Sequence, residues 1–278
     1  MTAAGIFLTH QDSPRIRRHF ARLAAETGDL FDWHFVRSHD ALPRPEAPFP
    51  YDDPADVLPT RYRAMTEHGG VQGGYLDTLL VPVLRGLCSH DRPDDRPDHL
   101  WLCEYDVDFA GRWGGLFRRF ADNPADLLTT TLMYQNEQPR WPWWDSAQAP
   151  DAVPEERWVR SLNPLMRVTP RLLDAYVAAM TEQWQGHYEF TLATAALDAG
   201  LIVEDLGGEG SFVPPGRERT VYVGKSPAGR PKDLTFGFRP VRTRYFHEEP
   251  ESFEQPGLLY HPVKPGVAAW NRTTMNVP

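Results

Sequence analysis

The sequence predicts an α/β fold, a single domain built on a mixed, mostly parallel sheet with helices on both faces. Three observations lead there. The chain opens with an apolar run, a helix-period segment and a second apolar run; a strongly apolar stretch, Leu100–Cys103, follows about 100 residues in; and later strand-like runs alternate with helical ones. No repeat, low-complexity tract or clear linker divides the 278 residues.

Taken in order, Ala4–Thr9 (AGIFLT) reads as the first strand. The loop His10–Ser13 follows, and a helix runs over Arg15–Glu26 with Asp12 or Ser13 as N-cap and Pro14 at its first position. Phe31–Val36 completes a βαβ unit. Leu42–Pro59 is rich in proline and reads as a loop. After Gly73 and Gly74, apolar residues at 76, 79, 80, 83, 84 and 87 keep helical spacing, with Pro82 as a kink or early position. His99–Tyr105 is the central strand. A short helix around Trp113–Ala121 and a strand at Asp126–Leu132 come next.

Beyond a second proline-rich loop, Pro139–Pro154, the pattern predicts a strand at Leu162–Val168. A helix runs from Pro170 to about Gln183, capped by Thr169, and another over Tyr188–Asp198, closed by Gly200. LIVEDL is a short strand. Thr220–Val223 and Leu234–Phe238 read as a hairpin. The 27 prolines are about twice the usual share, and long aromatic-bearing loops of this kind either cover a substrate or act as rigid connectors.

Composition narrows the function classes. With 29 basic and 38 acidic residues the formal charge is -9, so the chain as a whole repels nucleic acid and anionic membranes. An anionic ligand needs a local cation or placed basic groups. Two cysteines, Cys88 and Cys103, sit in apolar segments and build no disulfide framework, which fits a reducing compartment. No run of 18 apolar residues and no signal-peptide pattern is present, so a cytoplasmic protein without a membrane span is expected.

Three constellations carry chemistry. His99–Gly111 (HLWLCEYDVDFAG) releases Glu104, Asp106 and Asp108 from a strand end. Strand alternation places all three on one face, where a divalent cation or a protonated acid relieves their repulsion, unless the aspartates only close a turn. The carboxyl ends of strands in open α/β sheets are where ligands bind. In GHYEFTLAT, Glu189 stands at a helix start, either as a helix-terminal charge or as a general base for an incoming hydroxyl. In YHPVK, His261 can complete a cation's coordination and Lys264 can neutralise a phosphate, if they are not simply solvated.

With these motifs in place the chain resembles the glycosyltransferases of the GT-A fold, a Rossmann-like architecture that opens with a βαβ nucleotide-binding unit and carries an Asp-x-Asp motif about 100 residues in. The resemblance implies a nucleoside-diphosphate sugar donor, a hydroxyl-bearing small-molecule or glycan acceptor, and Mn2+ or Mg2+. It places Asp106 and Asp108 on the metal, with Asp106 also meeting the donor. Residues 1–135 would bind the nucleotide sugar and 136–278 the acceptor. The His261-Pro262-Val263-Lys264-Pro265 segment is similar to the late His and Lys-Pro element of glycogenin-like transferases, with shorter spacing; this implies His261 on the metal and Lys264 on a phosphate. HYEFTLAT resembles the acceptor-base region of core-2 type N-acetylglucosaminyltransferases, which implies Glu189 as base. Thr9, His10 and Gln11 fall where the fold meets the nucleotide, and Trp141, Trp143 and Trp144 are candidates to stack on a sugar. The order EYDVDF, a Trp-bearing loop, HYE and LYHPVK also resembles an uncharacterised bacterial and fungal transferase-like group.

Two other readings stay open. YDVDFA resembles the nucleophile motif of haloacid dehalogenase-like phosphatases, although it comes late and has Ala110 where Thr or Val is usual. A non-catalytic nucleotide-sugar or glycan-binding domain is the other.

Overall fold

The computed structural model describes residues 3–38, 44–67, 74–88, 96–224, 233–238 and 253–263. Its strands are β1 (Ala3–Thr9), β2 (Phe31–Arg37), β3 (His99–Glu104), β4 (Asp108–Phe109), β5 (Leu127–Tyr134), β6 (Val159–Val168), β7 (Val203–Asp205) and β8 (Leu259–Tyr260). The helices are α1 (Pro14–Thr27), α2 (Pro54–Val57), α3 (Pro59–Glu67), α4 (Leu76–Cys88), α5 (Trp113–Arg118), α6 (Pro170–Ala179) and α7 (Tyr188–Asp198). Among the described residues six strands form one sheet in the order β2-β1-β3-β6-β5-β7, and β4 pairs with β8 outside it. β6 is antiparallel to both its neighbours, while every other pairing in the sheet is parallel. The fold is therefore mixed α/β with a mostly parallel sheet, as expected.

Helices cover both faces because successive strand residues point opposite ways. Ile6, Leu8, Leu100 and Leu102 face α4, α6 and α7 in one apolar cluster. Phe7, Trp101 and Cys103 face α1 and α5 in the other. Local signals set the helix starts: Ser13, not Asp12, caps α1 by accepting from the Ile16 N–H at 3.3 Å, and Thr169 caps α6 by accepting from the Leu172 N–H at 3.2 Å. α7 spans the expected residues, and Gly200 follows it with φ 71°.

Several expectations need correction. Of the predicted loop Leu42–Pro59, residues 42 and 43 lie outside the described residues, and the rest holds α2 and the start of α3, each begun by a proline at its first position. α6 stops at Ala179 because Met180 leaves helical geometry at ψ 81°. The predicted hairpin is not a ladder: Val223 O accepts from the Thr235 and Phe236 N–H groups, and Phe236 makes an isolated bridge to His261 instead. β3 ends at Glu104, and Tyr105 and Asp106 form a turn, so strand alternation does not place Glu104, Asp106 and Asp108 on one face.

A buried ionic network locks the helical layer. The Arg61 Nε donates to Asp77 Oδ2 at 2.7 Å, its Nη2 donates to Asp77 Oδ1 at 2.9 Å, and its Nη1 donates to the Gly186 carbonyl at 2.8 Å. The Tyr176 hydroxyl donates to Asp77 at 2.7 Å and lies 2.8 Å from Thr191 Oγ1. This ties α3, α4, α6 and the entry to α7 together. Removing one partner of such a pair strands a buried charge. Arg61→Met is expected to cost about 3–5 kcal/mol, seen as a lower urea midpoint, and Arg61→Met with Asp77→Leu to recover most of it.

Candidate functional site

The carboxyl edge of the parallel strands gathers most of the chemistry-bearing residues. Past Glu104 the chain turns, with the Val107 N–H donating to the Glu104 carbonyl at 3.1 Å, and the two aspartates part company. Asp108 turns toward α1. Its carboxylate accepts from the Arg22 guanidinium, its Oδ1 accepts from the Phe109 N–H at 2.6 Å, and His19 Nδ1 lies 4.0 Å from Oδ2. His19 in turn holds the Val107 carbonyl through Nε2 at 2.8 Å. Burial pushes the Asp108 acid up, with His19 and Arg22 opposing it. Asp108 thus braces the turn against α1 through Arg22 and the Phe109 N–H.

Asp106 faces the other way, toward the residues that follow β8. The pairing of β4 with β8 carries His261 alongside, and the Val263 N–H donates to the Asp106 carbonyl at 2.7 Å. His261 Nε2 sits 3.7 Å from Asp106 Oδ1, both side chains being buried. On its far side, His261 Nδ1 donates to the Gly237 carbonyl at 2.8 Å. That bond fixes the ring and aims Nε2 at the carboxylate, which is how a metal-binding histidine is usually held. Two ligands each about 2.1 Å from one ion stand about 3–4 Å apart.

The first loop lies nearby. Thr9 is buried and its hydroxyl donates to the Gln11 carbonyl at 2.7 Å while accepting from the Gln11 N–H at 3.0 Å. His10 and Gln11 are exposed, and the His10 ring meets Tyr105 edge-on at 4.7 Å. The ends of β1 and β3 are therefore in contact. An open groove of about 440 Å³ starts beside them, lined in part by Asp12, Arg17, Phe35, Arg37 and Glu46. Lys264 lies outside the described residues.

Glu189 occupies the first turn of α7 and is buried. The helix starts at His187, whose Nδ1 accepts from the Glu189 N–H at 3.2 Å and stands 3.7 Å from Glu189 Oε2. Burial lifts the Glu189 acid from its ordinary 4.5 to about 7, with the charge of Arg160 opposing the lift. Burial also lowers His187 to about 4, so it is a neutral acceptor at pH 7. The approach is tight: Gly74 has φ 93°, and a Cβ there would lie 2.3 Å from His187 Cδ2. The Gly74 carbonyl accepts from the Tyr188 N–H at 2.8 Å.

The tryptophans pack around this turn. Trp141 and Trp144 are buried in the core and meet edge-on at 4.7 Å, while Trp143, half-buried, lies 5.0 Å from the His187 ring. Trp141 also packs against His187, Trp144 packs against Phe190, and Trp143 alone of the three is partly open.

Other residues of this edge carried little sequence signal. Thr131 on β5 has φ 54°, unusual for a β-branched residue. Its N–H donates to the Tyr222 hydroxyl at 2.5 Å, and that hydroxyl donates to Asp205 at 2.7 Å. Asp205 also accepts from the Gly207 and Gly208 N–H groups, both at 2.8 Å, and a Cβ on Gly208 would lie 2.0 Å from the Tyr222 ring. The GGEG run was the only hint of this knot. Arg160, one of two arginines in β6, carried no signal of its own.

No family model matches the chain, and no curated protein is significantly similar to it. The described residues hold no group of three or more His, Cys, Asp or Glu side chains that could bind a metal by themselves. No helix of the described residues is long and apolar enough to cross a membrane.

Because folding favours the protonated form of Glu189, its contribution to stability is full below about pH 4.5 and is lost as pH rises to about 7. Glu189→Gln removes that loss. Its stability should match the wild type near pH 4.5 and exceed it at pH 8 by on the order of 3 kcal/mol, read as a higher urea midpoint.

Proposed function

We propose that this protein is a metal-assisted glycosyltransferase that moves a sugar from a nucleoside diphosphate to a hydroxyl acceptor. The observation that carries the reading is the pairing of Asp106 with a histidine 155 positions later at the carboxyl edge of a mostly parallel sheet, the His261 ring being fixed by the Gly237 carbonyl. The βαβ opening and the strand-end Asp-x-Asp support the GT-A form of the fold. Asp106 and His261 would hold Mn2+ or Mg2+, which supplies positive charge against the diphosphate. His10 and Gln11, exposed at the end of β1, would meet the nucleotide.

Glu189 serves the acceptor. With an acid near 7 it is ionised in a large fraction of molecules at neutral pH and still basic enough to take a proton. As the acceptor oxygen bonds to the anomeric carbon, its proton passes to Glu189, and the bond from that carbon to the diphosphate breaks with its electron pair leaving on the diphosphate. A base on the acceptor side is what an inverting transfer requires. Trp143 lines the approach to this turn. The phosphatase reading has weaker support, since it needs the second aspartate as acid and base while Asp108 is bonded to Arg22 and the Phe109 N–H.

A panel of nucleoside diphosphates with and without manganese tests the reading by thermal shift. One of them should raise the melting temperature in a manganese-dependent way, and Asp106→Ala or His261→Ala should reduce that shift at least tenfold in apparent affinity. Glu189→Gln should keep the shift but lose transfer by about 10²-fold or more. Indifference to every nucleotide, together with hydrolysis of a generic phosphate ester, would sink the proposal.

A further inference from the structure

Arg160 stands near the start of β6 and is 4% exposed. Leu165 of that antiparallel strand pairs with Cys103 near the end of β3, so the residues before it extend past the carboxyl end of β3, toward the edge that holds Asp106 and Glu189. The guanidinium is poorly satisfied. Nη1 donates to the Ser161 carbonyl over 3.4 Å, and the buried Nε has no hydrogen-bond partner.

The other buried arginines contrast with it. Arg61 uses three nitrogens on Asp77 and the Gly186 carbonyl, and Arg167, whose buried Nε is likewise unbonded, makes four bonds through its two terminal nitrogens to Phe120, Asn123 and Ala125, where Arg160 makes one long one. The groups whose charge acts on Arg160 are Glu189, Asp205 and Tyr222. Asp205 and Tyr222 are bonded to each other and to backbone N–H groups, and the Glu189 backbone carbonyl is held by the Ser161 hydroxyl at 2.9 Å. Among the described residues Arg160 forms no ion pair within 4.0 Å. A buried cation so placed costs stability unless a ligand completes it.

We propose that Arg160 is an oxyanion receptor on the acceptor side, taking a carboxylate or phosphate carried by the molecule whose hydroxyl Glu189 deprotonates; the assignment rests on the acceptor-side reading of Glu189. The planar guanidinium fork suits such a group, binding it through two parallel N–H donors. In a chain of net charge -9, a buried local cation is what an anionic acceptor needs. The acceptor is then an acidic hydroxyl compound rather than a neutral sugar.

Inorganic phosphate and acetate are the probes, compared by thermal shift in wild type, Arg160→Met and Arg160→Lys. At millimolar concentration phosphate or acetate should raise the wild-type melting temperature, and the more effective anion tells which group is taken. Arg160→Met should lose that response while keeping its manganese-dependent nucleotide shift. In anion-free buffer it should melt level with or above the wild type. Arg160→Lys, which keeps the charge but not the fork, should weaken the anion response at least tenfold. A crystal soaked in the effective anion should show it bonded to the guanidinium. The proposal fails if neither anion stabilises the wild type, if Arg160→Met still responds, or if that variant melts more than about 5 °C lower without anion, which marks a framework role. Anion binding through Arg160 with no nucleotide response would sustain the oxyanion receptor and count against the transferase reading alone.

Discussion

The Arg61–Asp77 pair is the constraint on which the acceptor side of the molecule depends. Arg61 and Asp77 are each 1% exposed, so neither charge has water to fall back on. Burial works against the Arg61 charge and Asp77 outweighs it, holding the guanidinium firmly protonated. Beyond the pair, Arg61 donates to the Gly186 carbonyl and Asp77 accepts from the Tyr176 hydroxyl. Gly186 immediately precedes His187, the cap of α7, and Tyr176 reaches Thr191 one turn into that helix. The turn that presents Glu189 is thereby gripped from outside and from within.

That grip explains an electrostatic feature that a looser turn would not sustain. A carboxyl group stays near its ordinary acidity wherever water can reach it. Glu189 does not, because it is buried: Trp141 and Trp143 pack against His187 before it, Trp144 against Phe190 after it, and Ser161 of β6 bonds its carbonyl. The tryptophans contribute by excluding water as much as by any surface they offer.

The donor side obeys a different rule. Two aspartates two residues apart take opposite tasks because a turn, not a strand, lies between Glu104 and Asp108. Asp108 is drawn to α1 by Arg22 and His19, and this fixes the turn so that Asp106 projects toward His261. The Asp-x-Asp spacing in the sequence was visible, but its division of labour was not. It depends on residues 86 and 89 positions earlier and on a histidine 155 positions later, separations over which no local pattern carries information.

Local physics was enough for much of the framework. Apolar alternation and a proline after Ser13 set the βαβ opening, helical spacing set α4 and α7, and the Thr169 cap fixed where α6 begins. The same signals picked out Asp106, His261 and Glu189, because a strand-end carboxylate, a late histidine and a helix-start glutamate are each readable from near neighbours. Only the tertiary structure decided which of these meet, which way Asp108 turns, that Trp141 and Trp144 belong to the core, and that Arg160 is buried with so few bonds. Those outcomes are set by desolvation and by partners far apart in the chain, and both exist only once the sheet has brought its carboxyl ends together.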